Sequence, residues 1–173
     1  HLETGELLFC FIGQLSSRSG TPLVIDAHTV SFRKGGRFEH RPLREALAAA
    51  KFENLINAGF SPNVAAAQAL IPSAVETSLD HMRSLGQQRE KALLPLLRKE
   101  ERRLFKWKNR RRELLEEQIA ALGPKHPQAR RFRNELDEME EYAKDRHDNW
   151  LEANFRAAKE PSTRLVLVIE GVE

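Results

Sequence analysis

The residues of this chain best suited to chemistry are its six histidines, its single cysteine and its dense runs of arginine and lysine. The histidines His1, His28, His40, His81, His126 and His147 show neither HxxxH nor HExxH spacing, the patterns that put two imidazoles on one helix face for zinc. Cys10 lies in an apolar run with no CxxC partner, so it forms no internal disulfide and fits a reducing compartment. Asp26 and His28 alternate along a predicted strand and share one face, yet no nucleophile is evident beside them. Arg33-Lys34-Gly35-Gly36-Arg37 has the look of a phosphate-cradling turn. It lacks the GxxxxGK[ST] pattern and no helix follows directly, so it reads as a basic hairpin turn. These spacings predict no catalytic residue, no metal site and no cofactor within the chain.

The basic residues are more suggestive. Between Arg98 and Arg112 stand nine of them, Arg98, Lys99, Arg102, Arg103, Lys106, Lys108, Arg110, Arg111 and Arg112, opposed only by Glu100 and Glu101. A cluster of this kind displaces counterions from a phosphate backbone, and Phe105 and Trp107 could add stacking. A helical hairpin turning near Lys125 has another use for the same charges. Residues 98–112 would then face residues 138–152, which carry Glu138, Glu140, Glu141, Asp145, Asp148 and Glu152 against Lys144 and Arg146. Pairing across the hairpin would hold its register, although each exposed pair contributes only about 0–1 kcal/mol. The turn itself carries Lys125, Arg130, Arg131 and Arg133 with no acid among them. The candidate contact residues for nucleic acid or a protein partner are therefore Lys125, Arg130, Arg131, Arg133, Arg110 and Arg111.

The elements that must position these residues follow from hydrophobic patterning. Gly5 to Leu15 and Thr21 to Arg33 read as strands joined by a Ser/Gly/Pro-rich turn, with a short extended piece near Phe38. A helical stripe begins at Pro42, runs through Phe52 to Ile56 and is capped by Gly59; Ser61-Pro62 then starts a short helix that Pro72 stops. Ser73 and Glu76 match a capping box for the longest helix, which Pro95 should kink or break before Gly123-Pro124 closes it. From Leu96 to Leu122 that helix would project roughly 40 Å. A second helix from Pro127 to before Pro161 carries Phe132, Leu136, Met139, Ala143 and Trp150 on a heptad seam. Trp107 falls on the facing seam, so both tryptophans are expected in the hairpin core. The apolar run Leu165 to Ile169 suits a central strand buried on both faces. The fold class is therefore α+β: a small mixed sheet with helices and a long antiparallel coiled-coil hairpin inserted before the last strand. Residues 1–94 plus 161–173 would form the α/β body and 95–160 the arm.

At 173 residues, 40% hydrophobic and 31% charged, the chain can fill one modest core while keeping much helix surface in water. No segment approaches the roughly 20 apolar residues of a membrane span. The opening His1, with no methionine before it, reads as the start of a fragment of a larger protein.

The order of elements then acquires a resemblance. A strand pair, alanine-rich helices, an Arg/Glu-rich hairpin, a helix end at Asp148-Asn149-Trp150-Leu151 and the closing strand Arg164 to Glu170 resemble the carboxyl-terminal region of bacterial Swi/Snf-type helicase-like ATPases (RapA/HepA-like). Trp150 and the strand Leu165 to Ile169 carry that resemblance. It implies a non-catalytic accessory domain of an ATP-dependent translocase, with ATP and Mg bound by parent lobes outside this chain. The implied partners are the rest of the parent, double-stranded DNA or RNA polymerase, in a cytoplasmic, nucleoid-associated setting. Two other readings stand beside it: a module that self-associates through its hairpin, and a free-standing nucleic-acid-binding protein.

Overall fold

A computed structural model describes residues 2–33, 35–51, 64–123 and 125–171. The protein is α+β, with the element order β1 (Leu7–Ser16), β2 (Pro22–Phe32), β3 (Phe38–Pro42), α1 (Leu43–Ala49), α2 (Val64–Leu122), α3 (Pro127–Asp145), a π-helical turn (Arg146–Leu151), α4 (Glu152–Phe155) and β4 (Ser162–Glu170). Two compact units emerge. One comprises residues 1–16, 22–89 and 158–173; the other comprises 17–21 and 90–157.

The first unit is built on a four-stranded sheet in the order β3-β2-β1-β4. Every pairing among the described residues is antiparallel, so the sheet they form is antiparallel rather than mixed. The centre belongs to β1, not to the closing apolar strand. Leu7 to Phe11 are buried on both faces of β1, because α2 covers one side and α1 the other. Leu7, Phe9 and Phe11 pack with Val30 and Ala74, and Leu70, Ile71 and Val75 of α2 close over them. Leu8 and Cys10, on the opposite face, meet Ala46 of α1 and Ile169. Burial raises the Cys10 thiol pKa, and the cysteine is free. β4 is an edge strand, with Val166 58% and Leu167 41% exposed. Its apolar run was expected at the centre, but β1 supplies a longer two-faced run and takes that place.

The start of α2 lies against this sheet on Ala74, Ser78, Met82 and Gly86, spaced four apart and all buried. The approach is close: a Cβ on Gly13 of β1 would overlap the Met82 thioether. Neither Pro72 nor Pro95 ends the helix. An interior proline costs about 3 kcal/mol through a lost hydrogen bond and a clash. Around Pro72 that cost is offset by Leu70, Ile71, Ala74 and Val75, which pack on the sheet from both sides of it. Pro95 itself is exposed, while Leu97 beside it is buried. Ser73 is therefore interior and caps nothing; its carbonyl accepts from Thr77 Oγ1 at 2.9 Å. The expected stripe at Phe52 to Ile56, the cap at Gly59 and the Ser61-Pro62 start lie outside the described residues. Of the first helix, α1 ends at Ala49, followed by Lys51 in the left-handed region at φ 48°.

The second unit is a helical hairpin made by the rest of α2 and by α3. Gly123, at φ 80°, ends α2, and its N–H donates to Ile119 O at 3.1 Å. The His126 ring caps α3 by accepting from the Gln128 N–H at 3.2 Å, with Pro127 in the first turn. Leu97 and Leu115 from α2 and Ala129, Met139 and Ala143 from α3 are buried. Trp107 and Trp150 are not core residues, being 45% and 42% exposed. Trp107 lies one position off the seam, edge-on to Tyr142 at 5.7 Å. Trp150 is displaced by the π-helical turn, which inserts one residue and passes the buried position to Leu151. Arg146, in the vacant heptad slot, instead lays its guanidinium over the Trp150 ring at 3.5 Å. The far end of this helix meets the turn between β1 and β2: Ser19 N–H donates to Ala153 O, and Ser19 Oγ donates to Asn154 Oδ1, both at 3.0 Å.

Candidate functional site

The sheet unit assembles a polar cluster that local spacing does not reveal. Strand alternation puts Asp26 and His28 on one face of β2, and the β2–β3 register places His40 opposite Val30 on that same face. His81 and Ser78, three residues apart on α2, come down onto them. His81 Nε2 is 3.0 Å from Asp26 Oδ2. The His40 ring stacks on His81 at 3.6 Å between centroids, and His28 lies 4.6 Å from His81.

His28 is the buried member, with its side chain 1% exposed. Its Nε2 is 2.8 Å from Ser78 Oγ, which is 2.8 Å from Thr163 Oγ1 on β4. Its Nδ1 sits 3.1 Å from Asp26 Oδ2, near enough to feel the charge but without making a hydrogen bond. Burial pushes the His28 pKa down to about 4, and the neighbouring His81 pushes the same way against the opposing pull of Asp26. His40 is exposed by area, but the side of its ring against His81 is desolvated. That burial, with the His81 charge, holds its pKa below the usual histidine range. Imidazoles beside a carboxylate form a set suited to metal binding or to moving a proton. Asp26, His28 and His81 offer ligand atoms all within 4.8 Å of one another. Only the shared face of Asp26 and His28 was legible in advance. His40 needed the strand register, and His81 needed the docking of α2.

Of the residues expected at a contact surface, Lys125, Arg130, Arg131, Arg133, Arg110 and Arg111 are all exposed in the hairpin unit. Lys125, Arg130, Arg131 and Arg133 gather around the turn, while Arg110 and Arg111 belong to the α2 stem. Arg111 is engaged with Glu135 across the hairpin, and Arg112 with Glu140. The Arg112 guanidinium holds the Glu140 carboxyl below the usual range. Glu101 reaches His147 at 3.5 Å, and hydrogen bonds to Asp148 and then to Glu101 raise the His147 pKa. Facing position numbers add to about 250, as a turn near Lys125 requires. Within the basic strip 98–112, Arg111 and Arg112 make the Arg–Glu pairs across the hairpin among the described residues. Arg103 pairs within its own helix with Glu100 at 3.0 Å, and Arg102 Nε donates to the Arg98 carbonyl at 3.1 Å.

These pairs give a first testable outcome. Glu140→Lys is expected to lower the melting temperature, and adding Arg112→Glu should restore part of it. Both effects should fade near 1 M salt, where screening acts within about 3 Å. A calorimetric series across salt concentration checks this.

A groove of about 210 Å³ between the helices is lined by Leu104, Phe105, Lys108, Ala143, Lys144, His147 and Asp148. It falls below the roughly 300 Å³ at which small-molecule sites begin. No helix among the described residues is long and apolar enough to cross a membrane. No family model, curated protein or solved structure matches the chain.

Proposed function

We infer that the helical hairpin is a nucleic-acid-docking arm, and that the chain serves as a non-catalytic accessory domain of an ATP-driven, helicase-like translocase. The observation that carries the docking reading is the row Lys99, Arg103, Lys106 and Arg110 on α2, all exposed. Their spacing of four, three and four runs straight along one side of the helix over about 16 Å. Lys99, Lys106 and Arg110 make no ion pair among the described residues, so their charge is available to a partner. Exposed Lys125, Arg130 and Arg131 extend the basic surface to the turn. Such a surface binds by releasing counterions from phosphates and carries little base preference.

Fluorescence anisotropy with a labelled DNA duplex tests the reading. Affinity should fall steeply between about 50 and 200 mM salt. The triple variant Lys99→Glu, Lys106→Glu, Arg110→Glu should weaken binding by more than about tenfold and flatten the log–log salt slope by about 3. Absence of salt-sensitive binding to duplex defeats the proposal.

Exposed Phe105, Trp107, Leu114 and Tyr142 on the same hairpin favour a second reading, self-association through a four-helix contact. Light scattering separates the two: concentration-dependent dimers support self-association, and a monomer leaves the basic row as the working surface.

A further inference from the structure

The structure assigns a divalent transition-metal site to the sheet unit, with Asp26 Oδ2, His28 Nδ1 and His81 Nε2 as ligands for an ion such as Zn²⁺. This assignment is independent of what the hairpin binds. The strongest observation is the His28 Nδ1 atom, buried, without a hydrogen bond, and 3.1 Å from a carboxylate oxygen. Buried nitrogen atoms are rarely left unsatisfied, because each loses its hydration without a replacement partner. Here the other ring nitrogen explains the vacancy. Ser78 Oγ lies 2.8 Å from both His28 Nε2 and Thr163 Oγ1, and in the tautomer whose Nε2–H donates to Ser78 the serine gives its one proton to Thr163. That tautomer leaves Nδ1 with a free lone pair beside Asp26 Oδ2, a pairing of two acceptors that a shared cation would relieve. Ligating histidines are held in this manner, with the non-ligating nitrogen donating to a fixed acceptor.

Two of the three ligand separations agree, and the third lies within 4.8 Å. Ligand atoms about 2.0–2.1 Å from a tetrahedral zinc lie roughly 3.3 Å apart. The carboxylate oxygen is 3.1 Å from His28 Nδ1 and 3.0 Å from His81 Nε2. One imidazole pair and one carboxylate form a ligand set suited to zinc, with a water in the remaining position. An entry path exists because Asp26 and His81 are 34% and 18% exposed, respectively. His40, stacked on His81, holds the ligating ring in place. Four separate elements, β2, β3, α2 and β4, contribute ligands or their supports, so an ion here would tie α2 to the sheet.

The full chain, stripped with chelator, should bind one Zn²⁺ in calorimetry and show a raised melting temperature on adding it. Co²⁺ should give the intense visible bands of a four-coordinate site. His81→Gln and Asp26→Asn, both at partly exposed positions, should each lower affinity at least about tenfold and remove the thermal shift, while circular dichroism confirms that they fold. A His126→Ala, His147→Ala variant should bind like the parent. The proposal is overturned if the parent chain binds no stoichiometric ion. It is equally overturned if affinity survives both His81→Gln and Asp26→Asn, or falls only in the His126/His147 variant.

Discussion

Replacing Phe9 with alanine is expected to destabilise the sheet unit by about 3–5 kcal/mol, the range for deleting a buried aromatic side chain. Phe9 is fully buried in the central strand, its ring 6.4 Å from that of Phe38, and Leu70, Ile71 and Val75 pack into the same cluster. Truncation removes the apolar surface and leaves a cavity between two rigid elements, the sheet and α2. A loss of that size is a large fraction of the roughly 5–15 kcal/mol that stabilises a typical domain. Val166→Ala is the matched control. Val166 is 58% exposed on the edge strand, and its truncation should cost within about 0.5 kcal/mol. Urea midpoints for the two variants read the difference directly. Equal losses would mean that β1 is not the central strand.

The second large effect is acid sensitivity from His28. Its pKa in the fold is pushed down to about 4, against an ordinary value of 6.5. The folded chain therefore binds a proton less readily than the unfolded chain. Above pH 6.5 His28 is neutral in both states and the fold keeps its full stability. Between 6.5 and about 4 the unfolded state alone takes up the proton, and stability is lost as pH falls. A shift of this size corresponds to at most about 3 kcal/mol. The charged and titratable groups facing His28 are Asp26 on its own strand, His40 on β3 and His81 on α2. Asp26 offsets part of the shift, while His40 and His81 add to it. Chelator-treated protein unfolded in urea at several pH values should show this slope, and His28→Gln should flatten it. An unchanged slope in that variant would place the acid sensitivity elsewhere.

Much of the fold was legible because its signals are local. Turn residues between Leu15 and Pro22 separated two strands whose observed bounds differ from the expected ones by one or two residues. Gly123 and Pro127 marked the helical turn, and opposite charges at a constant sum of positions gave the hairpin register. Other features are decided by tertiary competition, which leaves no local mark. An apolar run such as Leu165 to Ile169 signals burial, but it does not say which of two such runs takes the centre. Pro72 reads as a stop, yet packing on both sides of it outweighs the local cost. Trp150 fits the heptad until a single π-helical turn changes the phase. The His28 cluster is the extreme case, because beyond the strand alternation of Asp26 and His28 no periodicity links positions 40 and 81 to them. They meet only through a strand register and a helix docking.

The π-helical turn at Arg146–Leu151 also acts as a dislocation, in the sense used for crystal lattices. On its amino-terminal side, α3 keeps step with the seam of α2; on its carboxyl-terminal side, Ala153 and Asn154 keep step with the Ser17–Ser19 turn. The extra residue absorbs the angular mismatch between these two demands, which a straight helix would have to compromise. Each contact can therefore drift in sequence on its own. Whole heptads can be gained or lost from the stem without rotating the junction with the β1–β2 turn.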